Sequence, residues 1–178
     1  MKAGSEGKEL VLTRQVKAPL ELVFRAWSEV EHLKQWWGPK GFEISVARLD
    51  FRPGGVFHYN MVASDGHQMW GKFVYQEIEA LEKIVWLNSF SDEAGHTVRA
   101  PFSDLIPLEI RNEVIFSENN GVTTMTLRSS PFQATEEERS FFEGMFDSMQ
   151  MGFGGTFDQL EEFLTAFREQ SPSSTGRG

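Results

Sequence analysis

Residues 135–168 read TEEERSFFEGMFDSMQMGFGGTFDQLEEFLTAFR, and the apolar positions Phe142, Phe146, Met149, Phe153, Phe157, Leu160, Leu164 and Phe167 recur every three or four residues. That spacing gathers them into one stripe on one face of a helix. Thr135 and Glu138 stand at capping-box spacing, so the helix starts there and continues to about Arg168. A helix this long with a single apolar face has to lie across a sheet. Gly144, Gly152, Gly154 and Gly155 interrupt it. Each is disfavoured inside a helix by up to about 1 kcal/mol relative to alanine, so a bend or a close backbone approach is expected.

Upstream, between residues 42 and 129, the hydrophobic period changes to two and turn residues divide the chain into short segments. The strands read as 42–49, 56–63, 67–79, 83–91, 108–117 and 122–129, an antiparallel run of hairpins. Asn120-Gly121 supplies the positive φ angles of a tight turn. Residues 92–107 form a longer loop whose Phe102, Leu105 and Ile106 argue that it packs on something. Ahead of this run, a strand at 10–16 ends at Ala18-Pro19, where proline suits the first turn of a helix carrying Leu22, Val23, Ala26 and Trp27. Ser28 and Glu31 read as the capping box of a second short helix, which stops at Trp36-Trp37-Gly38-Pro39. The two tryptophans read as a structural plug.

The 178 residues make one domain, expected over 10–169 between a flexible 1–9 and a disordered tail, 170–178. With 26 acidic against 17 basic residues, the net charge of −9 excludes a phosphate-tracking surface, so nucleic acid is not an expected partner. No apolar run approaches the roughly 18 residues of a membrane span, and no apolar stretch follows the N-terminal charges. The absence of cysteine excludes disulfides and thiolate chemistry and fits a cytoplasmic location. Phenylalanine outnumbers tyrosine 16 to 2. Rings without hydroxyls suit places that stay dry.

The order of elements, with Val16-Lys17-Ala18-Pro19, Val23-Phe24-Arg25-Ala26-Trp27, Leu33-x-x-Trp36-Trp37-Gly38-Pro39, Arg52-Pro53-Gly54-Gly55-Val56-Phe57, Asp65-Gly66, Gly71 and Glu77-Ile78, resembles a branch of the START-like (SRPBCC) superfamily. This AHSA-like branch is named for the activator of the heat-shock chaperone ATPase. The resemblance covers about residues 10–168. It implies an α+β helix-grip fold (START-like, Bet v 1-like): a curved antiparallel sheet of six to seven strands, two short helices and one long C-terminal helix around an apolar cavity. Gly152-Phe153 replaces the Gly-Trp of many members, and the 92–107 loop is longer than usual.

Alternation puts Phe57, Tyr59 and Met61 on the face toward the helix and Val56, His58 and Asn60 on the other. It likewise groups Ile84, Trp86, Asn88 and Phe90, and Leu108, Ile110, Asn112, Val114 and Phe116. Asn88 and Asn112 are amides on apolar faces, and each needs a hydrogen-bond partner there. The function the resemblance implies is non-covalent binding of a small apolar or amphipathic molecule. Phe57, Tyr59, Met61, Trp86, Phe116, Met145, Met149 and Phe153 would line the cavity, while Tyr59, Asn88 and Asn112 would orient polar atoms of the ligand.

His32, His58, His67 and His96 show no metal-ligand spacing and read as solvated, while Glu77 with Glu79 reads as an exposed face and Glu136 to Glu138 as a helix N-terminus favoured by its dipole. No nucleophile elbow occurs, and Gly152-x-Gly154-Gly155 lies in a helix rather than a phosphate-binding turn. No catalytic residue, metal or cofactor is therefore expected. Two other functions follow from the resemblance: a polyketide cyclase-like enzyme in which Tyr59 handles a proton, and a chaperone partner. The second is not expected of a chain with no room for the separate N-terminal domain of the namesake co-chaperone.

Overall fold

The computed structural model describes residues 9–170, so the expectations for 1–8 and for the tail from 171 lie outside the described residues. β1 (Leu10–Val16) passes through Pro19, the extended N-cap residue, into α1 (Leu20–Ser28) and α2 (Val30–Trp36). The expected Ser28 capping box does not form. Glu29 is the break instead, its carboxylate held by Arg25 at 2.9 Å. There follow β2 (Phe42–Leu49), β3 (Val56–Ala63), β4 (Gln68–Glu79), β5 (Lys83–Ser91), β6 (Thr97–Val98), β7 (Glu109–Asn119) and β8 (Val122–Phe132). The chain ends in α3 (Glu136–Gly144) and α4 (Phe146–Gln170).

All pairings are antiparallel, in the order β1-β8-β7-β5-β4-β3-β2, with β6 added beside β5. Together with the long C-terminal helix this curved sheet is the expected helix-grip arrangement. Bulges between Ile44 and Val46 and between Tyr75 and Glu77 bend β2 and β4 while keeping large side chains on the inner face. Two elements differ from the sequence reading. The 92–107 loop is not one loop: its first half forms the β5–β6 hairpin, closed by Asp92 and His96. The last helix is two helices, divided at Met145 (φ −96°, ψ 3°) directly after Gly144, where the low helix propensity of glycine lets the ladder break.

The sheet's inner face and α4 meet at one end through rings. Trp27 of α1 touches Trp36 (4.9 Å between centroids), Trp86 (5.6 Å), Phe116 (6.0 Å) and Phe157 of α4 (6.2 Å). Polar contacts fix the helix along its length. Thr156 Oγ1 and Gln159 Nε2 both donate to the Gly38 carbonyl, at 3.0 and 2.9 Å, fastening α4 to the corner after α2. On the inner face of β1, Arg14 donates to Asp158 (2.6 Å) and Glu161 (3.2 Å) of α4.

Arg14→Met keeps the aliphatic stem and removes the charge. Because the acids are partly solvated, the loss should be modest, about 1 kcal/mol. Urea unfolding should show a lower midpoint that moves toward the wild-type value in 1 M salt; a salt-independent difference would assign the effect to packing instead.

Candidate functional site

Away from the Trp27 cluster the sheet and α4 separate around a cavity of about 480 Å³. Its wall comes from six places: Trp37-Gly38-Pro39 after α2, Tyr59 and Met61 of β3, Met69 to Gly71 of β4, Asn88 to Phe90 of β5, Ile110 of β7, and Met149, Gly152, Phe153 and Thr156 of α4. Phe102, Ile106, Pro107 and Leu108 from the segment before β7 complete it. No side chain among these carries a charge, and the wall is mainly Met, Phe, Trp, Ile, Leu and Pro with a few hydroxyls and one amide.

The polar group at its centre depends on a missing side chain. Tyr59 lies directly opposite Gly71, and a Cβ at position 71 would stand 2.7 Å from the Tyr59 hydroxyl and 2.8 Å from Cζ. Only glycine lets the ring lie flat over β4. Asn88 Nδ2 donates to the Lys72 carbonyl at 3.0 Å and reaches the Tyr59 hydroxyl at 3.4 Å. Burial pushes the Tyr59 hydroxyl up from its ordinary value, against the opposing hydrogen bonds from Trp37 and Asn88, so the phenol stays neutral. The Trp37 ring is held edge-on against Phe73 at 4.9 Å. Trp36, its neighbour, is fully buried against Trp27 and donates its indole N–H to the Ala26 carbonyl at 2.9 Å. The two tryptophans therefore divide the work: Trp36 is the expected plug, and Trp37 is wall.

The mouth is crossed by residues 99–108. Phe102 is 66 % exposed, yet its ring sits 5.6 Å from that of Phe90 in the wall. Arg99 holds this strap in place, donating to the Ile106 carbonyl (3.2 Å) and to Glu138 (2.6 Å). Glu138 also closes the capping box with Thr135. It is buried, and with Glu136 and Glu137 it stands in the first turn of α3, the helix N-terminus expected for these three acids. The Thr135 backbone N–H first, and Arg99 after it, hold the Glu138 carboxyl below the usual carboxylate range.

Of the residues expected to bind ligand, Tyr59, Met61, Asn88, Met149 and Phe153 meet at the cavity. Phe57, Trp86, Asn112 and Phe116 are on the expected inner face but nearer the Trp27 end, inside the closed core, and do not line it. Met145 sits at the helix break and is also outside the wall. Sequence reasoning missed Trp37, Met69, Ile110 and the strap residues. The apolar triplet Phe102, Leu105 and Ile106 was the available signal for the strap.

Two histidines also differ from expectation. His58 does lie on the outer face, but the β5–β6 hairpin covers it: the ring stacks on Trp70 (5.0 Å), and Nε2 lies 3.1 Å from Ser91 Oγ and from the Asp92 carbonyl. His32 is buried between Phe163 and Phe167, and that burial lowers its pKa. Among the described residues no group of His, Asp or Glu could hold a metal ion, and no helix is long and apolar enough to cross a membrane.

Gly71→Ala should push the Tyr59 ring out of place, costing about 1–3 kcal/mol as other overpacked sites do. Gly71→Ala combined with Tyr59→Leu should recover part of that loss, and denaturant midpoints of the three variants check it. For the strap, the sign follows from the lowered Glu138 carboxyl. Its stabilisation is complete above the ordinary glutamate value of about 4.3 and disappears as pH falls through the lowered folded value. Protection factors for amide exchange in residues 99–108 should therefore fall on acidification below about pH 4, and Arg99→Ala should lower them already at neutral pH.

The profile of a family described as Activator of Hsp90 ATPase homolog 1-like protein matches residues 17–165. Among solved structures, a protein of Nitrosomonas europaea is similar at 27 % identity with a TM-score of 0.71, covering 90 % of this chain and 96 % of its own. A Mycobacterium smegmatis protein gives 25 % and 0.70 over 89 % and 91 % of the two chains. An AHSA1-like protein of Aeromonas hydrophila shares the fold at 16 % identity and a TM-score of 0.64, over 89 % and 93 %. No functionally curated protein is significantly similar to the chain. The motifs from Val16 to Ile78, the helix-grip sheet and a profile match spanning most of its length make this chain a member of the Activator of Hsp90 ATPase homolog 1-like family.

Proposed function

We propose that the protein binds one small, uncharged, apolar or weakly amphipathic molecule, without covalent chemistry, in the cavity between the sheet and α4. The observation that carries this reading is a wall of about 480 Å³ with no charged side chain and one oriented polar pair, Tyr59 and Asn88. Pockets of this size and composition suit small ligands, with dispersion supplying affinity and a few polar groups supplying orientation. A carboxylate or phosphate would enter unpaired, and burying an unpaired charge is strongly unfavourable, so fatty acids and phosphorylated metabolites are disfavoured.

The Asn88 amide nitrogen is engaged with the Lys72 carbonyl and Tyr59. Its oxygen is the acceptor that a ligand hydroxyl or amide N–H would meet, and the Tyr59 proton is the donor for a ligand carbonyl. A cyclase-like enzyme would need a second group to take or return a proton. Tyr59 is the single titratable residue in the wall and is held neutral, so binding is the better-supported reading.

Native mass spectrometry of freshly purified protein should show a neutral adduct, and thermal shifts should appear with uncharged aromatic or aliphatic compounds before their carboxylate analogues. Met149→Trp should fill the cavity and abolish the shift. Asn88→Leu should weaken oxygen-bearing ligands about tenfold, the value of one buried hydrogen bond. No adduct, together with no shift across the neutral panel, would overturn the proposal.

A further inference from the structure

Six buried side-chain polar atoms among the described residues have no hydrogen-bond partner in the protein. Native interiors leave few such groups, and several in one place call for an occupant. They are not scattered. Tyr75 pairs with Trp86, Trp86 with Asn112, and Asn112 with Ser129, so four of the six stand in one cross-strand row on the inner face of β4, β5, β7 and β8. A fifth, the Trp27 indole N–H, belongs to a ring 5.6 Å from that of Trp86.

The Tyr75 ring leans toward Phe51, at 5.1 Å, which leaves Trp86, Asn112 and Ser129 as neighbours, each no more than 1 % exposed. Their unpaired atoms are complementary to a single partner. Trp86 Nε1 can only donate, Asn112 Oδ1 can only accept, and Ser129 Oγ can do either. The row lies two residues beyond Asn88 and Ile110, both in the cavity wall, which is about 7 Å along the strands.

We infer that Trp86, Asn112 and Ser129 form an internal site for one hydroxyl oxygen, behind the floor of the cavity. Only a group that donates and accepts satisfies both Trp86 and Asn112, which selects water or an alcohol over a carbonyl, an ether or a hydrocarbon. The water form stands by itself. The alcohol form, in which a ligand's hydroxyl end reaches past Ile110, rests on the reading of the cavity proposed above.

The Trp86 indole proton, assigned by its loss in Trp86→Phe, reports the occupant by NMR. In the purified protein it should show a cross-peak to a long-lived water. Adding 1-octanol should replace that cross-peak with one to the alcohol's C1 protons, whereas n-octane should shift cavity resonances and leave the water in place. Ser129→Ala removes one oxygen and adds no bulk, and should lower Tm by about 2–4 °C by taking a partner from the occupant. If octanol perturbs nothing while the water cross-peak persists, the cavity reading fails and the hydroxyl site stands. Absence of both water and alcohol contacts at Trp86, or a Ser129→Ala protein more stable than its parent, would overturn the site.

Discussion

The fold depends on one indole. Trp27 is reached by rings from α2, β5, β7 and α4, which join the N-terminal helices, two central strands and the long helix in one contact set. Edge-on and tilted ring pairs of this kind contribute beyond their buried area, by about 0.5–1.5 kcal/mol each. Because these rings fill the space between sheet and helix at one end, the two layers are wedged together there. The curved sheet then diverges from the helix toward the other end, where the cavity opens. The cavity is what that divergence leaves, bounded by small residues where a side chain would intrude: Gly71 beneath Tyr59 and Gly152 on α4, where a Cβ would meet nothing within 4 Å.

Polar groups then settle what apolar packing leaves open. A stripe of Phe and Leu can slide along a sheet with little change in buried area, but hydrogen bonds to fixed carbonyls cannot. Thr156 and Gln159 on the Gly38 carbonyl set the height of α4 over the corner that carries Trp37, and Arg14 sets its angle over β1. Arg99 does the same for the strap across the mouth. Thr156 and Gly38 belong to the wall but are uncharged, and the charged fasteners, Arg14 and Arg99, lie outside it, so the wall stays free of charge.

Much of this was legible in the sequence, and the misses share a cause. Period two identified the inner face of each strand, and the period near 3.6 identified the stripe of the last helix, because both are local consequences of backbone geometry. Alternation says which face a residue occupies but not how far along the strand the layers part. Phe57, Trp86, Asn112 and Phe116 therefore have the right face and the wrong depth for the wall. Trp27 is legible in the sequence as one apolar position of its helix but not as the hub of the core, since that role lies in rings distant along the chain. His58 was read from its strand alone, and its burial comes from a hairpin some thirty residues later, Nε2 meeting Ser91 across a separation of 33. Gly144 signalled a bend, but a break requires knowing that nothing on the sheet opposes it.

The phenylalanine excess is explained by depth as well. Phe24, Phe57, Phe73, Phe116 and Phe157 are buried at the wedged end, where sheet and helix are in contact through rings. Phe90, Phe102 and Phe153 stand at the diverging end and face open space. Phe suits both ends for one reason: its ring needs no hydrogen-bond partner. The two tyrosines sit where this condition is tested. Tyr59 has Asn88 within reach and belongs to the wall, while Tyr75, two rows deeper and leaning toward Phe51, is left with an unpaired hydroxyl. The boundary between cavity and core is thus not a boundary between polar and apolar surface. Polar groups continue past it, and whatever occupies the deep row has to bring its own hydrogen bonds.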